Sequence, residues 1–126
     1  AATAGNPFWQ VVLDAATDAA GAREALGTNN LPVTTSTGLT LSLTHKGGLV
    51  SSSGTVTVPA SVFAAGDVVV VYNNSAASIS IVQGASLTLR QAGTANTGNR
   101  TLLQRGLCTV TYVTATEAVI SGSGLS

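Results

Sequence analysis

Apolar and hydroxyl residues alternate along much of this 126-residue chain, and the alternation sets in only after Gly27. Leu39-Thr-Leu-Ser-Leu43 and Thr55-Val-Thr-Val58 keep a period of two, so each has one apolar and one hydroxyl face and predicts a half-buried strand. Val68-Val-Val-Val-Tyr72 does not alternate. It predicts a central strand covered on both faces and entered from a turn at Gly66-Asp67. Alternation returns in Ser78-Ile-Ser-Ile81 and Leu87-Thr-Leu89, with Ile79, Ile81, Leu87 and Leu89 facing inwards. Gly106 to Val113 and Glu117 to Ser121 complete the set as a hairpin about Thr114-Ala-Thr116. Cys108, Val110 and Tyr112 share one face of the first of these strands, and Leu107, Thr109, Thr111 and Val113 the other. About seven short strands, with turns of Gly, Asn and Ser and no βαβ rhythm, predict an antiparallel β-sandwich or small barrel over residues 39–126.

Residues 1–38 form a lead of different character. Asp14 or Thr17 can cap a helix running from about Ala15 to Leu26, and Gly27 can supply its left-handed stop. Val12, Ala15, Ala19, Ala22 and Leu26 recur at spacings of three and four, the rhythm of a coiled-coil seam, while Asp14, Asp18 and Glu24 lie mostly off that stripe. A helix this short, with Gly21 in its middle, is not stable alone, so the stripe is expected to pack on sister chains or on the β module. Phe8 and Trp9 either anchor the lead in a neighbour's pocket or close the end of the β module. Thr28 to Gly38, rich in Thr, Asn and Ser and stiffened by Pro32, reads as a linker. The chain is therefore expected to be mainly β: a short N-terminal α-helix followed by the antiparallel module.

Composition changes the picture at the surface. Charged residues make up 8% of the chain, against about 25% in an ordinary soluble domain. The surface must then be built of hydroxyls and amides, or be covered by other subunits, or both. Five acids cancel five bases, and Lys46 is the sole lysine. Such a chain has no field to collect nucleic acid or anionic lipid. Nor does any apolar run approach the roughly eighteen residues of a membrane span. Cys108 is alone, which excludes a disulfide within the chain and suits a buried small apolar residue in a strand. The start at Ala1 fits removal of an initiator methionine before a small residue, and equally a trimmed chain.

Candidate chemistry is sparse. One His, one Cys and ten scattered charges supply no evident acid, base and nucleophile set, so no enzyme and no cofactor is expected. His45 lies between an alternating strand and the Lys46-Gly47-Gly48 turn and reads as an exposed turn histidine. One His and one Cys cannot complete a structural zinc site in a single chain. Gln91 to Arg100 is a polar loop, and Thr94, Asn96, Asn99 and Arg100 are the candidate partner-binding residues. Arg100 would grip a partner carboxylate or carbonyl, or brace the fold through Asp67 or Glu117. If the loop binds a carbohydrate instead, its site would be Gly93 to Asn99 with Tyr72 or Tyr112 as the stacking platform.

Two stretches carry a resemblance. Ala22-Arg23-Glu24-Ala25-Leu26-Gly27 resembles the Arg-x-Ala-Leu-Gly end of a linker helix common in tailed-bacteriophage fibre and appendage proteins. Several blocks, in order, are similar to a C-terminal β module of phage virion proteins. They are Gly54-Thr-Val-Thr-Val-Pro59, Phe63-Ala-Ala-Gly-Asp-Val-Val-Val-Val-Tyr-Asn-Asn74, Gly93-Thr94, Gly98-Asn-Arg-Thr101, Arg105-Gly106 and Ala118-Val-Ile-Ser-Gly122. The resemblance implies a non-enzymatic virion surface protein, usually a homotrimer, made in the bacterial host cytoplasm and partnered by capsid or tail proteins. Its size suits a head decoration or short head-fibre subunit held by the lead, where Phe8, Trp9, Val12, Ala15, Ala19, Ala22 and Leu26 would form the attachment and trimer seam. The alternative is a tail-fibre or receptor-binding tip that recognises a host glycan. No long shaft separates lead from module, a departure from receptor-reaching tail fibres.

Overall fold

A computed structural model describes residues 31–126. The helix expected from Ala15 to Leu26, and the Phe8 and Trp9 anchor, lie outside the described residues. The described part is built of nine strands: β1 Val33–Ser36, β2 Leu39–Thr40, β3 Leu49–Ser52, β4 Val56–Val58, β5 Val68–Asn73, β6 Ile79–Gln83, β7 Thr88–Gln91, β8 Arg100–Thr114 and β9 Glu117–Leu125.

These strands form a stack of bent rungs. β1 and β2 are the two arms of the first rung, β3 and β4 of the second, β5 and β6 of the third. Along the first arm β1, β3 and β5 pair in parallel, and along the second β2, β4 and β6 do the same. β8 then retraces the third rung in reverse: Arg100–Leu102 pair antiparallel with β6, and Leu107–Thr111 with β5. β9 runs back along β8, and β7 pairs parallel with the first half of β9. The path β1-β3-β5-β8-β6-β4-β2 ends on two strands adjacent in the chain, so the sheet curls into a nearly closed barrel-like form.

The antiparallel arrangement expected from sequence is thus corrected, because most pairings are parallel. Parallel neighbours need a crossover. The crossover here is the second arm of each rung plus a loop, so no helix was needed and no βαβ rhythm appears. Two further corrections follow. Val33–Ser36, read as linker, is the edge strand β1. Leu39–Leu43, read as one strand, stops at Thr40 and turns through a 3-10 helix at Leu43–His45, where the His45 Nδ1 accepts the Ser42 N–H at 2.9 Å.

Inward positions of both arms fill one core. Val50, Val69, Val71, Cys108, Val110 and Ile120 come from the first arm, and Leu41, Val56, Val58, Ile79, Ile81 and Leu102 from the second. Each fully buried side chain of this size contributes about 1.5–3 kcal/mol relative to exposure. Ile79, Ile81, Leu87 and Leu89 face inwards as the alternation predicts. The segment from Pro59 to Gly66 packs against the end of β8 and the turn after it. Phe63 sits 4.8 Å from the Tyr112 ring, and Gly66 N–H donates to the Tyr112 carbonyl at 2.7 Å. Val68–Tyr72 is a central strand, but only Val69 and Val71 are buried; Val68, Val70 and Tyr72 are half-buried on the outer side. Within the described residues its outer positions are thus half-buried, short of the two-sided burial expected.

Candidate functional site

Polar side chains gather in two places, the bend between the arms and the loop that follows β7. At the bend, Ser36, Ser52 and Asn73 are register partners on successive rungs. Ser36 Oγ accepts the Gly38 N–H at 3.0 Å. One rung on, Ser52 Oγ accepts the Gly54 N–H at 3.2 Å and donates to the Gly54 carbonyl at 2.8 Å. Asn73 Nδ2 faces the carbonyls of Ala77, Leu102 and Leu103 at 2.7, 3.1 and 2.9 Å, and its Oδ1 accepts from Ser75 Oγ at 2.7 Å. Ser52 and Asn73 are wholly buried. A polar group out of water costs free energy unless it is hydrogen-bonded, and these meet that condition by supplying the partners that bent backbone would otherwise lack.

Close approach of neighbouring strands requires glycine at two places. A Cβ on Gly54 would lie 2.1 Å from the Thr37 carbonyl oxygen, and one on Gly122 would lie 2.2 Å from that of Leu107. Where β8 bends, Arg105 takes a left-handed conformation (φ 56°), and its Nη1 donates to Asn74 Oδ1 at 3.0 Å. That conformation costs a non-glycine residue about 1 kcal/mol or more. The bend column was missed in the sequence. Its signal was available: Ser36-Thr-Gly38 and Ser52-Ser-Gly54 repeat a Ser-x-Gly step one rung apart.

The loop brings together the four residues singled out from sequence. Thr94 Oγ1 donates to the Gln91 carbonyl and accepts the Asn96 N–H, both at 3.0 Å. Asn99 Oδ1 accepts the Gln83 N–H at 2.9 Å. Arg100 uses Nε on the Asn99 carbonyl at 2.8 Å, Nη1 on Gln91 Oε1 at 3.0 Å and Nη2 on the Thr97 carbonyl at 3.3 Å. Neither expected carboxylate is its partner: Asp67 faces Lys46 at 3.9 Å, and Glu117 faces Arg90 at 3.2 Å. Arg100 therefore braces the loop from within, through amide and carbonyl oxygens.

Comparison with protein-family models, curated proteins and solved structures found no match. Tyr112 cannot serve as a stacking platform, because it is buried, with its hydroxyl donated to the Pro59 carbonyl. Burial also pushes its pKa up to about 12. Tyr72 faces outwards on β5, but its row runs through Leu107 to Ser123, whereas the loop joins the sheet at Arg90, opposite Val119. Four residues along β9 separate the two rows, so the fold does not bring Tyr72 to the loop.

Cys108 is buried, as expected, and desolvation pushes its thiol up to about 12, which leaves it a small apolar core residue. His45 is half-buried in the 3-10 turn rather than exposed. Among the described residues no three His, Cys, Asp or Glu side chains converge. Every buried side-chain polar atom among them is hydrogen-bonded. The exposed positions among the described residues are mainly hydroxyls, amides and apolar side chains. Phe8, Trp9, Val12, Ala15, Ala19, Ala22 and Leu26, the candidate attachment seam, lie outside the described residues.

Proposed function

We propose that this chain is a non-enzymatic structural protein of a bacteriophage particle, a homotrimeric head decoration or short head-fibre subunit attached through its N-terminal lead. The observation that carries the reading is where the polar side chains are used. Asn73, Ser52 and Arg100 hold bends and a loop of the protein's own backbone, as a durable scaffold requires. The sequence blocks that resemble phage virion modules coincide with the working parts of that scaffold. Gly54 to Pro59 holds a bend and β4, Phe63 to Asn74 contains β5, Arg105-Gly106 is the bend of β8, and Ala118 to Gly122 lies in β9.

Association in such a protein rests on apolar burial and backbone bonding rather than on charge, since only 8% of residues are charged. The full chain is expected to sediment as a trimer at low and at high salt alike. Dissociation to monomers on raising salt at neutral pH would sink the reading, as would failure to find the protein on phage particles by labelled electron imaging. The alternative, a tip that recognises a bacterial surface carbohydrate, loses Tyr112 to the core.

A further inference from the structure

The alternation of Leu39-Thr-Leu-Ser-Leu43 favours a strand that continues past Thr40, yet the chain leaves the sheet there and closes a 3-10 turn at Leu43–His45. This turn carries the chain from the first rung to the second. Its backbone bonds run from His45 N–H to the Ser42 carbonyl at 2.9 Å, from Lys46 N–H to that of Leu43 at 3.2 Å and from Gly48 N–H to that of His45 at 3.0 Å. A side chain adds a fourth: the Ser42 N–H donates to His45 Nδ1 at 2.9 Å. Ser42 Oγ lies 2.8 Å from Thr44 Oγ1 and 3.4 Å from the same ring nitrogen. An imidazole nitrogen accepts an N–H only through its lone pair, so the bond from Ser42 requires Nδ1 without a proton.

We infer that the Leu43–His45 turn is a proton-sensitive latch, closed while His45 Nδ1 accepts the Ser42 N–H and opened when the ring becomes a cation. Both nitrogens of an imidazolium carry protons, so two N–H groups would face each other across 2.9 Å. The new proton can turn to Ser42 Oγ, and the Ser42 N–H then has lost its acceptor. Little else holds the turn shut. Leu43, Thr44, Lys46 and Gly47 are exposed, Leu43 by 59%, so no apolar burial compensates for the lost bond. The alternating pattern from Leu39 to Leu43 gives the released segment a competing extended conformation. Of the charged groups described, Lys46 follows His45 in the chain and faces Asp67 at 3.9 Å, which ties the turn to the entry of β5. Arg90 pairs with Glu117, Arg100 bonds within the β7 loop, and Arg105 bonds to Asn74.

Amide hydrogen exchange of the full chain between about pH 8 and about pH 5 tests this, with the ring C–H signals of the chain's one histidine followed by NMR in the same samples. Ser42 protection, corrected for the intrinsic pH dependence of exchange, is expected to fall about tenfold at the midpoint of the ring titration. Val69 and Val71 should keep theirs. His45→Gln places a neutral acceptor at the same position of the capping box and is expected to hold Ser42 protection level across the range. His45→Ala is expected to show the open value throughout. Asp67→Asn removes the ion pair with Lys46 but keeps the ring, and the pH step should survive in it. Flat Ser42 protection while the wild-type ring titrates overturns the inference. So does a step that persists in His45→Gln or vanishes in Asp67→Asn. Loss of Val69 and Val71 protection at the same midpoint also overturns it, because the transition is then global unfolding and not the opening of one turn.

Discussion

The bend and the β7 loop are both rich in hydroxyls, amides and glycine, yet they use them differently. At the bend the Ser52 and Asn73 side chains are fully buried, and their hydrogen bonds satisfy backbone groups that are wholly or partly out of water. In the loop the same chemistry stands in solvent: Thr94, Asn96 and Asn99 are exposed, and water competes for every bond they make. The difference teaches that polar composition alone does not mark a binding site. Burial decides whether a polar group is structural necessity or adaptable surface, and so decides what its removal costs.

The sharpest way to break that comparison is to put one methyl group at each place. Gly54→Ala drives a Cβ against the Thr37 carbonyl of the neighbouring rung, where Leu39 N–H and Ser53 N–H already fix the spacing at 3.0 Å to Thr55 and Ser36. The expected loss is about 3 kcal/mol in thermal or urea melts. Gly93→Ala in the loop has open space around it and meets only the penalty of its positive φ of 76°, about 1 kcal/mol. Equal losses would show that the bend tolerates opening.

Asn73→Ala is next. It leaves the carbonyls of Leu102 and Leu103 without their side-chain donor at the point where β8 bends, and the expected cost is about 2 kcal/mol by the same melts. Hydrogen exchange sharpens the result. Amides from Leu102 to Leu107 should lose protection before those of Val69 to Val71, since the variant loosens the bend and not the arms. Uniform loss of protection would mean that the bend and the arms open as one unit.

How much of this was legible in the sequence differs between the same regions. Period-two alternation placed Ile79, Ile81, Leu87 and Leu89 inside, and it sorted Cys108, Val110 and Tyr112 from Leu107 and Val113, because side-chain facing is a local property of a strand. The polar loop after β7 was also visible, since a run of Gly, Thr and Asn disfavours regular structure. Strand direction was not visible. A segment such as Val33-Thr-Thr-Ser36 has the same faces whether it pairs parallel or antiparallel, and its hydroxyls also suit a linker. Leu43 completed a pattern that predicted burial, but the chain turns at Ser42 and leaves it 59% exposed. The bend column escaped because it is a relation between rungs; a single Ser-x-Gly is a common turn, and only its recurrence points to a stack.

The same reasoning predicts graded effects within the loop. Arg100→Ala removes three bonds at once, to Gln91, Thr97 and Asn99, but the freed oxygens are open to water, so about 1 kcal/mol is expected. Arg100→Lys should recover little, because an ammonium is a point donor that cannot span acceptors lying around a planar guanidinium. Thr94→Ala combined with Asn96→Ala is expected to change stability by less than about 0.5 kcal/mol, since both side chains are exposed. That last variant separates the loop's two roles. A scaffold loop should leave both association and melting almost unchanged, whereas a partner-binding loop would keep its melt and lose attachment to the particle in a reconstitution assay. Loss of attachment with an unaltered melt would return Thr94 and Asn96 to the functional surface and make the bend alone the structural half of the comparison.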